Sequence, residues 1–142
     1  MSADFLDTNV LIYLFDNVAH QKRDRARMIV HRALSDGSAS ISHQVVQEAL
    51  NVITGKLSVP TPPEVARAFL DDVLMPLWDV MPGPELFRSA IEVRARYGFS
   101  FYDALIVAAA LASGSRRLYS EDFQHGQVIE GLTIENPFRS DV

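Results

Sequence analysis

Residues 39–54 read ASISHQVVQEALNVIT and predict the basic unit of the fold, a short strand followed directly by a helix. Residues 39–42 are the predicted strand. In the helix predicted at residues 43–54, Val45, Ala49 and Val52 lie on one face at i, i+4 and i+7. Strands separated by helices form a largely parallel sheet with both faces covered. The sequence therefore predicts an α/β fold, a three-layer α/β/α sandwich with a mostly parallel central sheet.

The same alternation of strands and helices continues along the chain, and we expect residues 1–142 to form a single domain on length alone. Helix ends are predicted at Gly37 and Gly98. Thr61 is predicted to cap the helix after the proline-rich loop, and Met28 to lie in a buried helical stripe. Further strands are predicted at residues 3–6, 77–81, 118–119 and 132–135, and further helices at residues 19–34, 64–74, 85–97 and 102–113.

The composition is that of a soluble, cytoplasmic protein. There is no cysteine, which excludes disulfides and thiolate metal sites. No apolar run reaches the roughly 20 residues that a membrane span needs, and the first residues lack the basic region of a signal peptide. The net charge of −5 argues against broad nucleic-acid binding. The segment HQKRDRARMIVHR at residues 20–32 still allows a local basic face, in which Lys22 is a candidate for phosphate contact.

Two acidic residues interrupt apolar helical stripes. Glu48 lies between Val45 and Val52 on the stripe of its helix, and Asp103 has the same relation to Ile106, Val107 and Ala110. An unpaired buried carboxylate costs several kcal/mol, so each needs an explanation. Glu48 could instead reach water or pair with a buried arginine. Asp103 could instead complete a capping box that begins at Ser100.

Two more acids follow predicted strands. Asp7 ends the first strand and Asp122 follows the strand at residues 118–119. Ligands of open parallel sheets bind at the carboxyl ends of the strands, where these side chains are expected. The alternatives are a helix cap for Asp7 and a turn residue for Asp122. Glu121 lies beside Asp122, so the choice between these two acids stays open.

A cluster of these four acids would require a cation. Two ionised carboxylates about 5 Å apart repel by roughly 3 kcal/mol at an effective dielectric of about 20. Six such pairs would cost on the order of 20 kcal/mol, which exceeds the total stability of about 5–15 kcal/mol of a typical protein. Oxygen ligands without histidine or cysteine favour Mg²⁺ or Mn²⁺ over zinc.

The chain resembles the PIN-domain family, and within it the VapC toxins of bacterial toxin–antitoxin modules. The resemblance spans almost the whole chain and rests on four segments in order, FLDTNVLIYLFD, SHQVVQEALNVI, SFYDALIVAAAL and LYSEDFQHGQVIEGLTIENPF. It implies a Mg²⁺-dependent endoribonuclease, for which Mn²⁺ is a substitute, with tRNA or ribosomal RNA as substrate. It also implies a homodimer and a small antitoxin partner. The implied catalytic and metal-binding residues are Asp7, Glu48, Asp103 and Asp122, supported by the polar residues Thr8, Asn9 and Ser120.

In the mechanism that this implies, Asp7 and Asp103 hold one Mg²⁺, and Glu48 and Asp122 complete the site or bridge to a second ion. One alternative is a PIN-like scaffold that binds RNA or protein without cutting; another is a PIN nuclease outside a toxin–antitoxin system. A receiver domain would need paired acids after the first strand, and an Asp-x-Asp phosphohydrolase would need an acid at Asn9. The sequence contains no P-loop, dinucleotide-binding glycine pattern or nucleophile elbow.

Overall fold

A computed structural model describes residues 3–139 of the chain. Strands and helices alternate through most of it, as the sequence predicts. The strands are β1 (Asp4–Leu6), β2 (Ala39–Ser42), β3 (Trp78–Val80), β4 (Arg117–Tyr119), β5 (Val128–Ile129) and β6 (Leu132–Glu135). The helices are α1 (Thr8–Ile12), α2 (His20–Asp36), α3 (His43–Gly55), α4 (Pro63–Phe69), α5 (Met75–Leu77), α6 (Pro84–Tyr97) and α7 (Phe101–Ala112).

The six strands form one sheet in the order β3-β2-β1-β4-β6-β5. All neighbouring pairs are parallel except β5 and β6, which are antiparallel. Together with the helices the sheet makes a three-layer α/β/α sandwich, which confirms the predicted fold class. The chain runs from β1 outward to β3 on one side and then returns to β4 on the other side of β1. The boundary between β1 and β4 is therefore the topological switch point of the sheet, where ligands of open α/β folds bind.

Helix ends follow the predicted local signals in most places. Gly37 ends α2 and Gly98 ends α6, with positive φ angles of 67° and 78°. A residue with a side chain is strained in that conformation. Ser42 caps α3 by accepting a hydrogen bond from the backbone N–H of Val45 at 3.4 Å. The Ser42 cap begins α3 directly at the end of β2, and so fixes where the side chains of α3 meet the sheet edge.

One apolar cluster joins the sheet to its helices. Helix α7 is the most buried helix, because residues 104–110 are all buried and lie over the strands. The side chains of Phe5 and Leu118 on β1 and β4 are fully buried. In the part of the chain that the structure describes, no helix has the length and apolarity needed to cross a membrane.

Two local predictions are wrong, and one strand was missed. Met28 is 57% exposed, because it lies two residues after the buried Ala26 and so projects from the opposite side of α2. Thr61 does not cap α4, whose N-cap is Pro62 without a side-chain hydrogen bond. Strand β5 was not predicted, because its two residues are too few for a period-2 pattern to show.

Candidate active site

The carboxyl ends of β1 and β4 bring Asp7 and the segment 120–122 together. The backbone N–H of Asp7 donates to the carbonyl oxygen of Tyr119 at 3.0 Å, which continues the pairing of the two strands by one residue. Both segments therefore leave the sheet at its switch point, next to each other. Glu48 on α3 and Asp103 on α7 reach the same place from helices that begin at this edge.

A cavity of about 520 Å³ lies at this edge of the sheet. Its lining contains all four acids that the sequence singled out, although they are separated by up to 115 residues. The fold thus collects the complete predicted set in one place. The lining residues are Asp7, Thr8, Asn9, Ile12, Tyr13, Asp16, Gln44, Glu48, Asn51, Val52, Lys56, Asp103, Ile106, Glu121 and Asp122.

Asp7 is the buried acid of the cavity, with 5% of its surface exposed. Its carboxylate accepts hydrogen bonds from the backbone N–H of Thr8 and from the hydroxyl of Ser120, both at 2.7 Å. Burial raises its pKa from 3.8 to about 7; the two hydrogen bonds lower the pKa, and the charges of Asp122 and Glu48 raise it further. The helix-cap alternative is also present, because Asp7 is the N-cap of α1 and accepts from the Thr8 N–H. Capping occupies one carboxylate oxygen and leaves the residue at the cavity wall.

Glu48 is half-buried and is held by two polar neighbours. The hydroxyl of Thr8 donates to its Oε1 at 2.7 Å, and the side-chain amide of Gln44 approaches its Oε2 at 3.4 Å. Within residues 3–139 these are its hydrogen-bond partners, so the alternative of a buried arginine pair is not what the structure has. Thr8 therefore ties the carboxylate of α3 to the residue that follows Asp7.

Asp103 occupies the first turn of α7 and is half-buried. Its backbone N–H donates to the hydroxyl of Ser100 at 3.2 Å, which is the serine half of the capping-box alternative. Asp103 nevertheless lines the cavity. The serine cap and a place in the cavity wall are compatible, because this cap uses the backbone N–H of Asp103 and not its carboxylate.

Asp122 and Glu121 have different partners, which bears on the ambiguity between them. The side-chain amide of Asn9 donates to Asp122 Oδ2 at 3.1 Å, and the backbone N–H of Asp122 donates to Ser120 Oγ at 3.1 Å. Glu121 instead accepts from the hydroxyl of Tyr13 and from Lys22 Nζ, the latter at 3.0 Å. Asp122 is therefore linked to the group around Asp7, and Glu121 is held by residues at the rim.

Residues 5–129 match the description of the PIN domain. The chain belongs to the PIN-domain family. This match confirms the resemblance carried by the four sequence segments. No curated protein matches the chain.

Solved structures share the fold of this PIN domain at low sequence identity. A toxin–antitoxin complex from Klebsiella pneumoniae aligns with a TM-score of 0.69 and 18% identity over 96% of this chain and 99% of the other. DNA-bound VapBC from Salmonella typhimurium aligns with a TM-score of 0.68 and 21% identity over 95% and 98% of the two chains. VapC20 of Mycobacterium tuberculosis, described as a sarcin-ricin loop cleaving toxin, aligns with a TM-score of 0.60 and 19% identity over 84% and 89%.

The three supporting polar residues of this PIN domain link α1 and the segment 120–122 to the acids around them. Thr8 joins Asp7 to Glu48, and Ser120 joins Asp7 to the backbone of Asp122. The side-chain amide of Asn9 contacts Ser120 Oγ at 3.3 Å as well as Asp122, and its side-chain oxygen Oδ1 accepts from the backbone N–H of Glu121 at 3.4 Å. These contacts set the orientation of the carboxylates before any ligand is bound.

Sequence reasoning missed several residues of the cavity wall. Gln44 and Asn51 lie at i−4 and i+3 from Glu48 on α3, so the helical period that identified Glu48 could also have found them. Lys56 lines the cavity just beyond the end of α3, and no local pattern marks it. Asp16 lines it too, where it accepts from the backbone N–H groups of Val18 and Ala19.

The donor set of the cavity fits a hard divalent cation, since its charged lining residues are six carboxylates and one lysine, Lys56. A cation would also offset the cost of ionising Asp7 among the charges of Glu48 and Asp122. Within residues 3–139, however, no three acidic or histidine side chains lie close enough to hold an ion as they stand. Convergence of three acids on one ion therefore requires at least one of the carboxylates to rotate.

Proposed function

We propose that this PIN domain is a Mg²⁺-dependent endoribonuclease. The observation that carries the proposal is the shared cavity at the switch point of the sheet. It gathers Asp7, Glu48, Asp103 and Asp122 from four parts of the chain. Burial of Asp7, with its pKa raised to about 7, is costly for a residue without a function and is typical of catalytic or metal-binding acids.

Asp7 and Asp103 would hold the ion, and Glu48 and Asp122 would complete its coordination. A bound Mg²⁺ supplies a water of lowered pKa and offsets charge on the scissile phosphate. The protein's own contribution is orientation: Ser120 and the Thr8 N–H position Asp7, the Thr8 hydroxyl positions Glu48, and Asn9 positions Asp122. Mn²⁺ should substitute, because it takes the same oxygen ligands. Lys56, at the cavity wall, would contact a neighbouring phosphate.

The proposed substrate is structured RNA, either tRNA or ribosomal RNA, cut by a toxin whose cognate antitoxin is a small protein. Support comes from the shared fold with VapC20, described as cleaving the sarcin-ricin loop, and with toxin–antitoxin complexes that align over nearly their full length. The absence of cysteine from the chain fits a cytoplasmic location, where such RNA is found.

We also propose that the chain forms a homodimer. Phe87 and Ile91 are 42% and 56% exposed, and they lie four residues apart on one face of α6. Met81, in the turn before α6, is 61% exposed. Exposed apolar side chains grouped in this way are typical of protein–protein interfaces.

Cleavage of a mixed pool of tRNA and ribosomal RNA tests the activity, with Mg²⁺, with Mn²⁺ and with EDTA. Asp7→Asn and Asp103→Asn are the test variants, and Asp79→Asn, which removes an exposed acid on β3, is the matched control. We expect discrete products with the wild type and the control in either metal, and none with EDTA or the two test variants.

Calorimetric titration with Mn²⁺ separates the nuclease from the scaffold alternative. The nuclease should bind Mn²⁺ and should lose that binding in Asp7→Asn. A folded protein that neither binds Mn²⁺ nor cuts RNA would contradict the proposal and favour the scaffold. Growth arrest on expression, relieved by a small protein encoded beside the gene, tests the toxin assignment separately.

A further inference from the structure

Three side chains meet at the rim of the acidic cavity, two of them near each other in sequence and the third about 100 residues further on. Lys22 Nζ on α2 lies 3.0 Å from Glu121 Oε2 and 3.1 Å from the hydroxyl of Tyr13, and that hydroxyl donates to Glu121 Oε1. Both carboxylate oxygens of Glu121 are thus engaged. We call Lys22, Tyr13 and Glu121 the rim clamp.

The rim clamp is packed as well as hydrogen-bonded. Lys22 Nζ lies 5.0 Å from the centre of the Tyr13 ring, and that ring contacts Phe138 with 4.6 Å between centroids. The side chains of Lys22 and Glu121 are 39% and 25% exposed, so their ion pair is partly shielded from water. A shielded pair with additional hydrogen bonds holds its geometry better than an exposed one.

Glu121 and Asp122 are adjacent, so whatever fixes one carboxylate also limits the other. The rim clamp holds Glu121 against α2, and Asp122 is left to bond with Asn9 inside the group around Asp7. Without Lys22, Glu121 would lose its cationic partner in a cavity that five other carboxylates line. Repulsion would then loosen the short segment 120–123, which carries Asp122.

We propose that Lys22 is a positioning residue of the acidic site: through Glu121 it fixes the segment 120–123 and so presents Asp122 to the metal. The metal-binding half of this inference rests on the proposed nuclease function, and the positioning half does not. Lys22 then acts on the protein itself and not as a contact for RNA phosphate.

The matched control is Lys56→Met. Lys56 lines the cavity and has no contact with Glu121 among those that the structure describes, whereas Lys22 reaches the cavity wall through Tyr13 and Glu121. The variants Lys22→Met and Lys56→Met remove the same charge and the same type of side chain, but only Lys22→Met removes a partner of Glu121. Lys22→Arg keeps the positive charge, and Glu121→Gln removes the negative charge of its partner.

Hydrogen exchange in EDTA measures positioning without any metal. The reporters are the backbone N–H groups of Glu121 and Asp122, which donate to Asn9 Oδ1 and Ser120 Oγ. We expect both to exchange about tenfold faster in Lys22→Met, the scale set by loss of one hydrogen bond to a charged group. Rates in Lys22→Arg and Lys56→Met should stay near the wild-type value. In the Glu121→Gln background, Lys22→Met should have little further effect.

Calorimetric Mn²⁺ affinity measures the consequence, with about tenfold weaker binding expected for Lys22→Met and recovery in Lys22→Arg. Unchanged exchange in Lys22→Met, or an equal acceleration with and without Glu121, overturns the positioning role. If the wild type binds no Mn²⁺, the nuclease proposal fails on its own, and the exchange rates still decide whether Lys22 positions the segment. Altered exchange with unchanged Mn²⁺ affinity overturns the link to the metal.

Discussion

Replacing Asp7 by asparagine should stabilise the metal-free protein at alkaline pH. The asparagine keeps an oxygen that can accept from the backbone N–H of Thr8, and asparagine is as good an N-cap as aspartate. What the substitution removes is an ionisable group that is 5% exposed. The substitution also alters the hydrogen bond from Ser120, so the pH dependence of its effect is what reports the cost of ionising this one carboxyl inside the fold.

The magnitude follows from the pKa of Asp7, which is raised from 3.8 to about 7. Below pH 3.8 the carboxyl is protonated in the folded and unfolded chains alike, so the burial costs no ionisation energy. As the pH rises toward 7, the unfolded chain loses this proton while the folded chain keeps it, and the folded state loses stability. Between the two pKa values the folded state loses about 4 kcal/mol of stability in total. About 3 kcal/mol of this loss falls between pH 5 and 8.5.

Urea unfolding in EDTA at pH 5 and at pH 8.5 tests this prediction. The free energy of unfolding of Asp7→Asn should gain about 3 kcal/mol relative to the wild type between the two pH values. Glu92→Gln, which removes an exposed carboxylate on α6, is the control: it shows how far the loss of any one acid changes the free energy of unfolding between the two pH values. A difference between Asp7→Asn and wild type that does not change with pH would refute the reasoning, because Asp7 would then ionise as it does in the unfolded chain.

Three further predictions use the same methods. Saturating Mn²⁺, at about 100 times its Kd, should stabilise the wild type by about 3 kcal/mol and leave Asp7→Asn unchanged; equal stabilisation of both would place the ion elsewhere. Ser120→Ala should raise the pKa of Asp7 further, because the hydrogen bond from Ser120 lowers that pKa in the wild type. The pH at which stability is lost should therefore move upward, and an unchanged pH would contradict the prediction. Gly98→Ala should cost about 1 kcal/mol in urea unfolding because its φ is 78°, whereas Gly55→Ala, in open space at the end of α3, should cost nothing; equal effects would exclude a backbone cause.

Much of the fold is readable from the sequence because its signals are local. The strand and helix of residues 39–54 appear in the structure within one residue of the predicted bounds, since apolar spacing over a few turns reports which face is buried. Glycine ends such as Gly37 are equally local. Predictions that depended on packing were less secure: Met28 was assigned to the buried stripe of α2 together with Ala26, Ile29 and Ala33, and those three are buried while Met28 is exposed.

The sequence by itself also determined which residues could form the site. Glu48 and Asp103 stood out because acids on apolar stripes are costly, and Asp7 because it follows a strand. It could not decide between Glu121 and Asp122, because the two are adjacent and equally acidic. The tertiary structure separates them through contacts with Lys22, 99 residues away, and Tyr13, 108 residues away. The burial that raises the pKa of Asp7 was likewise set only by tertiary packing, because desolvation depends on every element that closes over a side chain.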